Sequence, residues 1–112
     1  MLDATALNVE RYMDLLSARQ KLAASNIANA DTPGYKTKDI DFQHEYASMI
    51  NGQTPQTITA EGLPEKSDGN NVNVDREARM LAENAMRFNV ASQLLRGQIN
   101  SIKEAISGGA GA

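Results

Sequence analysis

Residues 25–36 read SNIANADTPGYK. Pro33 fixes its own φ and pushes Thr32 out of the helical region, while Gly34 takes a positive φ without steric penalty. Thr32-Pro33-Gly34-Tyr35 is therefore expected to form a type II turn, with Pro at i+1 and Gly at i+2. A helix arriving from the N-terminal side must end near Asp31. Asn26 and Asn29 stand three apart, on one face of its last turns. Their amides can donate and accept across a helix interface or satisfy the last free carbonyls. The stretch thus marks a helix exit, and the rest of the chain divides around it.

Upstream, Val9, Met13, Leu16, Gln20, Ala23, Ile27 and Ala30 are spaced in alternating steps of four and three. That is a heptad seam in which only Gln20 is polar. A second stripe, Tyr12, Leu15, Arg19, Leu22, Asn26 and Asn29, starts apolar and turns polar. Downstream, Leu81, Ala85, Phe88, Ser92, Leu95, Ile99, Ile102 and Ile106 repeat the four-three spacing. Asn73 or Asp75 can cap that second helix, and Glu77 places negative charge in its first turn. Gly108 is placed to stop it.

The organisation read from this pattern is an N-terminal helix over residues 1–31, an irregular segment over 32–72, a C-terminal helix over 73–107 and a flexible tail over 108–112. The fold class is mainly α, with the two helices paired as an antiparallel, coiled-coil-like hairpin. In the middle segment, residues 38–42 alternate polar and apolar and allow a short strand. Residues 44–50 allow a helical turn or two. Residues 52–71, with Pro55, Pro64 and the run SDGNN, read as loop, partly disordered. An antiparallel pair buries one stripe per helix, which leaves Tyr12, Leu15 and Leu22 exposed, together with Met86 and Leu94. Exposed apolar stripes mark a partner surface, so the chain is expected to complete its core with other subunits.

Composition narrows the function. Five residues are aromatic, and alanine supplies much of the apolar fraction, so a self-sufficient core is thin. The net charge of −3 and scattered Lys and Arg lack the basic footprint of a nucleic-acid binder. With no cysteine there is neither disulfide nor thiolate metal site. No apolar run approaches the roughly 20 residues of a membrane span, and the first residues lack the basic start and apolar middle of a signal peptide. No direct membrane insertion is expected.

Nothing carries catalysis. His44, the only histidine, lies in Asp39-Ile40-Asp41-Phe42-Gln43-His44-Glu45, and no His-x-x-x-His pair accompanies it. On a strand Asp39 and Asp41 would share a face and His44 would point away. The run from Asp68 departs from a calcium loop at positions 5, 6 and 12 and reads instead as a turn leading to a helix cap. No nucleophile elbow or Walker-type phosphate loop is present. No catalytic, cofactor-binding or metal-binding residue is assigned.

At Asn26-Ile27-Ala28-Asn29, followed by Thr32-Pro33-Gly34-Tyr35, the sequence resembles the N-terminal signature of the bacterial flagellar rod and hook proteins. Lys36 to Phe42, Asp68-Gly69-Asn70-Asn71-Val72, Asp75-Arg76-Glu77 and Leu81 to Phe88 are similar to the proximal-rod members of that family, so the resemblance spans nearly the whole chain. The middle is short for the family, and the Gly-Ala tail runs past the usual helix end.

The resemblance implies a structural, non-enzymatic subunit of the basal-body rod. It implies type III export without cleavage of a signal, a periplasmic location in the rod, and terminal helices that pack against neighbours. Implied partners are copies of the chain, other rod proteins, the ring-to-rod adaptor, the membrane ring and the export apparatus. The residues expected to carry assembly are Val9, Met13, Leu16, Ala23 and Ile27 in one seam. Leu81, Phe88, Leu95, Ile99, Ile102 and Ile106 form the other. Asn26, Ile27, Asn29, Thr32, Pro33, Gly34 and Tyr35 form the family motif and helix exit. Two other readings stay open on the residues alone: a soluble coiled-coil adaptor or export chaperone, and, more remotely, a small metal-dependent enzyme using His44.

Overall fold

In a computed structural model describing residues 4–111, the element order is α1 (Ala4–Ala28), β1 (Lys38–Asp39), α2 (Phe42–Ile50), β2 (Ile58–Thr59) and α3 (Val74–Gly111). The heptad spacings become α1 and α3, and the two helices pack along each other. Their direction is antiparallel: Gln20 reaches Leu81, while Asn8 and Val9 lie beside Ala91 and Leu94. At about 1.5 Å per residue, the 25 residues of α1 span about 37 Å and the 38 residues of α3 about 57 Å. Part of α3 therefore projects beyond α1, and the molecule is elongated, 71 × 26 × 17 Å.

The ends of the helices follow their local chemistry. Asn73 rather than Asp75 caps α3, its Oδ1 accepting the Arg76 N–H at 3.0 Å. Asp41 caps α2 by accepting the His44 N–H at 3.4 Å. α1 ends at Ala28, and residues 29–31 continue as turns, so the exit begins slightly before the expected Asp31. At the other end α3 continues to Gly111, past Gly108 where the helix was expected to stop. The expected stop needs a left-handed glycine, and Gly108 does not adopt a positive φ. Ala112 lies outside the described residues, as do the first three.

Residues 32–72 are irregular but organised. β1 and β2 pair antiparallel, Lys38 opposite Thr59 and Asp39 opposite Ile58. The helical turn or two expected after His44 is a nine-residue helix, α2. It corrects the expectation that the second stripe of α1 lies open. Tyr12 meets Phe42 edge to face at 5.5 Å and Tyr46 at 6.3 Å, and the Arg19 guanidinium lies 5.9 Å above the Phe42 ring. Leu15, between Tyr12 and Arg19 on that stripe, is wholly buried, and Leu22 is half-buried. Aromatic burial of this kind contributes about 0.5–1.5 kcal/mol per pair beyond the area removed from water.

The core is small. It consists of Ala6, Leu15, Leu16, Ala23, Ile40, Val72 and Ala91, joined by an unusual set of buried polar residues: Asn26, Thr37, Asp39, Glu45, Asn70, Asn71, Glu77 and Asn84. Glu77, Asn84 and Ala91 are seven apart and form the stripe of α3 that α1 covers most completely. Phe88, expected in that seam, is 41% exposed. The short side chains at 84 and 91 let the helices approach, and the large ones are displaced to the flanks.

Candidate functional site

The helix exit is a built structure. The Tyr35 N–H donates to the Thr32 carbonyl at 3.2 Å and Gly34 has φ +73, as a type II turn requires. Asn26, on the last buried turn of α1, is 1% exposed. Its Nδ2 donates to the Lys38 carbonyl at 2.8 Å. Its Oδ1 accepts from the Lys38 N–H at 3.1 Å and from the Tyr35 hydroxyl at 2.9 Å. One amide thus fixes the outgoing chain twelve residues later, all its bonds made within the subunit. Asn29 does a different job on the same face. Its Nδ2 donates to the Ser25 carbonyl at 2.9 Å and its Oδ1 accepts from the Thr32 hydroxyl, which finishes the helix end.

The run SDGNN folds back onto this turn. The Gly34 N–H donates to the Asp68 carbonyl at 2.8 Å. Asn70 donates through Nδ2 to the carbonyls of Asn29 and Thr32, at 2.9 and 2.8 Å. The Asn71 Oδ1 accepts from the Thr37 N–H and hydroxyl. Gly69, at φ +84, lies so close that a Cβ there would stand 3.5 Å from the Gly34 Cα. Two segments separated by more than thirty residues therefore form one unit, with Asp31 to Gly34, Ser67 and Asp68 exposed at its tip.

Below it lies an ion network that joins three elements. Asp39 of β1 is bound by Arg19 of α1 at 3.2 Å and by Arg76 of α3 at 3.1 Å. Arg76 also reaches the wholly buried Glu77 at 2.6 Å. Two guanidinium groups and two carboxylates balance in charge. The arrangement fixes the angle at which the chain re-enters α3. Arg19 and Arg76 are part-buried, and removing one partner from the set costs about 1.5–3 kcal/mol, as for a hydrogen bond to a charged group.

The helical faces beyond this hub are open. One cleft of about 540 Å³ runs between α1, α2 and α3, lined by Val9, Tyr12, Tyr46, Met86, Val90 and Leu94 among others. Met86, Val90 and Leu94 are 70%, 57% and 59% exposed, a continuous apolar stripe one helical turn apart. On the opposite flank, clefts of about 310 and 340 Å³ are lined by Leu16, Ser17, Gln20, Asn84, Ala85 and Phe88, and by Met13, Ser17, Phe88 and Leu95 with Glu10 and Asp14.

The two seams named from the sequence are thus divided. Leu16 and Ala23 are buried; Val9, Met13, Ile27, Leu81, Leu95, Ile99 and Ile102 are half-buried; Phe88 and Ile106 stand exposed. Pro33 and Thr32 are exposed on the turn, and Tyr35 is half-buried. Sequence reasoning missed Arg19, Asp39, Arg76 and Glu77 as a group, and the docking of Asn70 and Asn71. The available signal was a charged residue set within a helical stripe and beside a cap. His44 is exposed, and among the described residues no three His, Cys, Asp or Glu side chains stand where they could hold a metal ion. Among the described residues no helix is long and apolar enough to cross a membrane.

Comparison with known proteins falls on the same features. A family profile described as "Flagella basal body rod protein" matches residues 13–36, the second half of α1 together with the exit turn. The flagellar basal body rod protein FlgB of Escherichia coli (strain K12) is 31% identical, with 96% of each chain covered. FlgB of Bacillus subtilis (strain 168) is 29% identical over 97% of this chain and 98% of its own, and FlgB of Salmonella typhimurium is 29% identical over 96% of each. The Escherichia coli alignment runs over 133 positions against 112 residues here, so that relative carries insertions this chain lacks. With an exit turn inside the matched profile and the likeness extending over both helices and the loop that clasps them, the chain belongs to the FlgB family of flagellar basal body rod proteins.

Proposed function

We propose that the chain is a structural subunit of the proximal rod of the bacterial flagellum, and that it assembles through the open flanks of its helix pair. The observation that carries this reading is the match to rod proteins over nearly the whole chain. The physical case is consistent with it. Met86, Val90 and Leu94 on one flank and Phe88 on the other are large side chains left in water. At 41–70% exposed, each gains a corresponding part of the about 1.5–3 kcal/mol that full burial contributes. Of the seam residues, Leu16 and Ala23 hold the helix pair together within the subunit, while Val9, Met13, Ile27, Leu81, Leu95, Ile99, Ile102 and Ile106 serve a helical layer shared between subunits, with the projecting end of α3 reaching the next one.

The exit motif sets direction. Asn26, Ile27, Asn29, Thr32, Pro33, Gly34 and Tyr35 turn the chain out of the helical layer at a fixed angle. The Asn70–Asn71 loop and the Arg19–Asp39–Arg76 network hold that angle rigid. In a tube every subunit must leave the inner layer the same way, and a rod that carries torque needs this junction stiff. Its partners would be copies of itself, other rod proteins, and the adaptor joining rod to membrane ring. The subunit reaches the periplasm through the flagellar type III apparatus without a cleaved signal. No chemistry is assigned to it. Detergent-extracted basal bodies, probed with an antibody to the chain, test this: the reading expects the chain in the rod. Recovery only as a soluble dimer would favour an adaptor or chaperone.

A further inference from the structure

Glu10 and Asp14 are the only carboxylates of α1, and both line one cleft of about 340 Å³ whose apolar floor is Met13 of α1 with Phe88 and Leu95 of α3. Among the described residues neither carboxylate makes an ion pair. The cleft is therefore an apolar groove with an acidic rim along α1, and Phe88 in it is 41% exposed.

The far end of α3 has the complementary pattern. Arg76, Arg79 and Arg87 are each engaged within the subunit. Arg96 and Lys103 are exposed and, among the described residues, unpaired; no Asp or Glu stands three or four residues from either. They are seven residues apart and so share a face of the helix. Ile99 and Ile106 run beside them in three-four steps, giving a strip with bases along one edge and isoleucines along the other. Val9 lies beside Leu94, so Ala4 reaches only to about Ile99, and no described residue of α1 extends alongside Lys103 or Ile106. Ile106 is 67% exposed. Because α3 is one continuous helix, this strip cannot fold back onto the acidic cleft of its own subunit.

We propose that the cleft receives the projecting end of α3 from a second copy of the chain. Ile99 and Ile106 cover Met13, Phe88 and Leu95, while Arg96 meets Asp14 and Lys103 meets Glu10. The order of the pairs follows from polarity. Contacts repeated head to tail build a filament in which every α3 points the same way, so the neighbour's α3 runs antiparallel to α1. Glu10 and Asp14 stand about 6 Å apart along the axis and Arg96 and Lys103 about 10 Å, a difference that the long stems of arginine and lysine take up. Apolar contact alone does not distinguish one groove from another. The larger cleft over Met86, Val90 and Leu94 is lined by Arg87 and by no carboxylate, so a basic helix is matched to the acidic groove and its axial register is set there. The proposal rests on the rod-subunit reading and names the contact that makes one copy the neighbour of the next.

The chain has no cysteine, so introduced cysteines report single contacts. In a bacterium that assembles rods from this chain, two differently tagged copies are co-expressed, one with Asp14→Cys and the other with Arg96→Cys. Isolated basal bodies are then treated with a short bis-maleimide, which can join these two positions only between copies. A dimer carrying both tags is expected, about tenfold more abundant than when Arg79→Cys, exposed on α3 outside the strip, replaces Arg96→Cys. Equal yields from the two positions, or links made only to a different protein, overturn the proposal.

A second arm reverses charge. Glu10→Lys with Asp14→Lys, and separately Arg96→Glu with Lys103→Glu, are each expected to lower the number of assembled rods about tenfold, the effect of turning two exposed attractive pairs repulsive. All four reversals together are expected to restore assembly. The purified variants should keep the wild-type melting temperature, since none of the four groups is ion-paired within the subunit. Wild-type rod numbers in both double variants, or no recovery in the fourfold variant, overturn the proposal, and if a reversal variant fails to fold the linker arm decides. Absence of the wild-type chain from rods would instead defeat the rod-subunit reading itself, so the two failures are distinguishable.

Discussion

Replacing Asn26 by leucine isolates the role of the helix exit. The side chains are close in volume, so the change opens no large cavity, but it removes all three hydrogen bonds of a residue 1% exposed. Lost are Nδ2 to the Lys38 carbonyl at 2.8 Å, the Lys38 N–H to Oδ1 at 3.1 Å and the Tyr35 hydroxyl to Oδ1 at 2.9 Å. At a net value of about 1 kcal/mol each, the expected loss is about 3 kcal/mol. Asn29→Ala is the matched control. It stands on the same helical face, but its side-chain bonds to Ser25 and Thr32 are solvent-exposed, and its loss is expected at about 0.5 kcal/mol. Urea titration followed by far-UV circular dichroism, at one fixed protein concentration where the chain is helical, reads both. With a slope of about 1.5 kcal/mol per molar urea, the midpoint of Asn26→Leu falls by about 2 M and that of Asn29→Ala by a few tenths. Equal midpoints for the two variants would refute the assignment of Asn26 as the centre of the exit.

Gly34→Val and Gly52→Val carry similar backbone strain, since both glycines have positive φ, yet only Gly34 is clasped by the Asp68 loop. Gly34→Val is expected to reduce swimming and rod assembly more, and equal motility of the two would count against the exit as an assembly device. Asp39→Leu leaves the part-buried Arg19 and Arg76 without their shared carboxylate and is expected to lower stability by about 1.5–3 kcal/mol; Glu83→Ala, which breaks the exposed pair with Arg87, should stay within about 0.5 kcal/mol. Thermal melts of both check this. The helical signal of the purified chain is expected to rise with concentration, with slowed amide exchange in α3 beyond Ile99 as neighbours cover it. A concentration-independent signal with one sharp transition would argue for a self-sufficient monomer.

The helices were legible because periodicity is a local signal: the four-three spacing of Val9 to Ala30 and of Leu81 to Ile106 needs no knowledge of the rest. The Pro33-Gly34 turn was legible for the same reason, its backbone angles being restricted by the residues themselves. What lay beyond reach depended on contacts distant in sequence. Leu15 read as exposed because its cover, α2, comes from residues 42–50, and nothing local says that Phe42 and Tyr46 face Tyr12. Phe88 read as seam because heptad spacing weighs size, whereas close approach of α1 and α3 selects the shorter Asn84 and Ala91. The Arg19–Asp39–Arg76 network joins residues 20 and 37 apart, and each charge alone looks like ordinary surface. Gly108 read as a stop because glycine commonly ends helices; the residue does not adopt the left-handed conformation on which that rule depends.

Whether this chain builds the rod is decided by deleting its gene from the bacterium that carries it and imaging basal bodies by electron cryotomography. A membrane ring with no rod above it is expected, with the rod restored when the gene is returned. Complete rods and normal swimming in the deletion strain would contradict it.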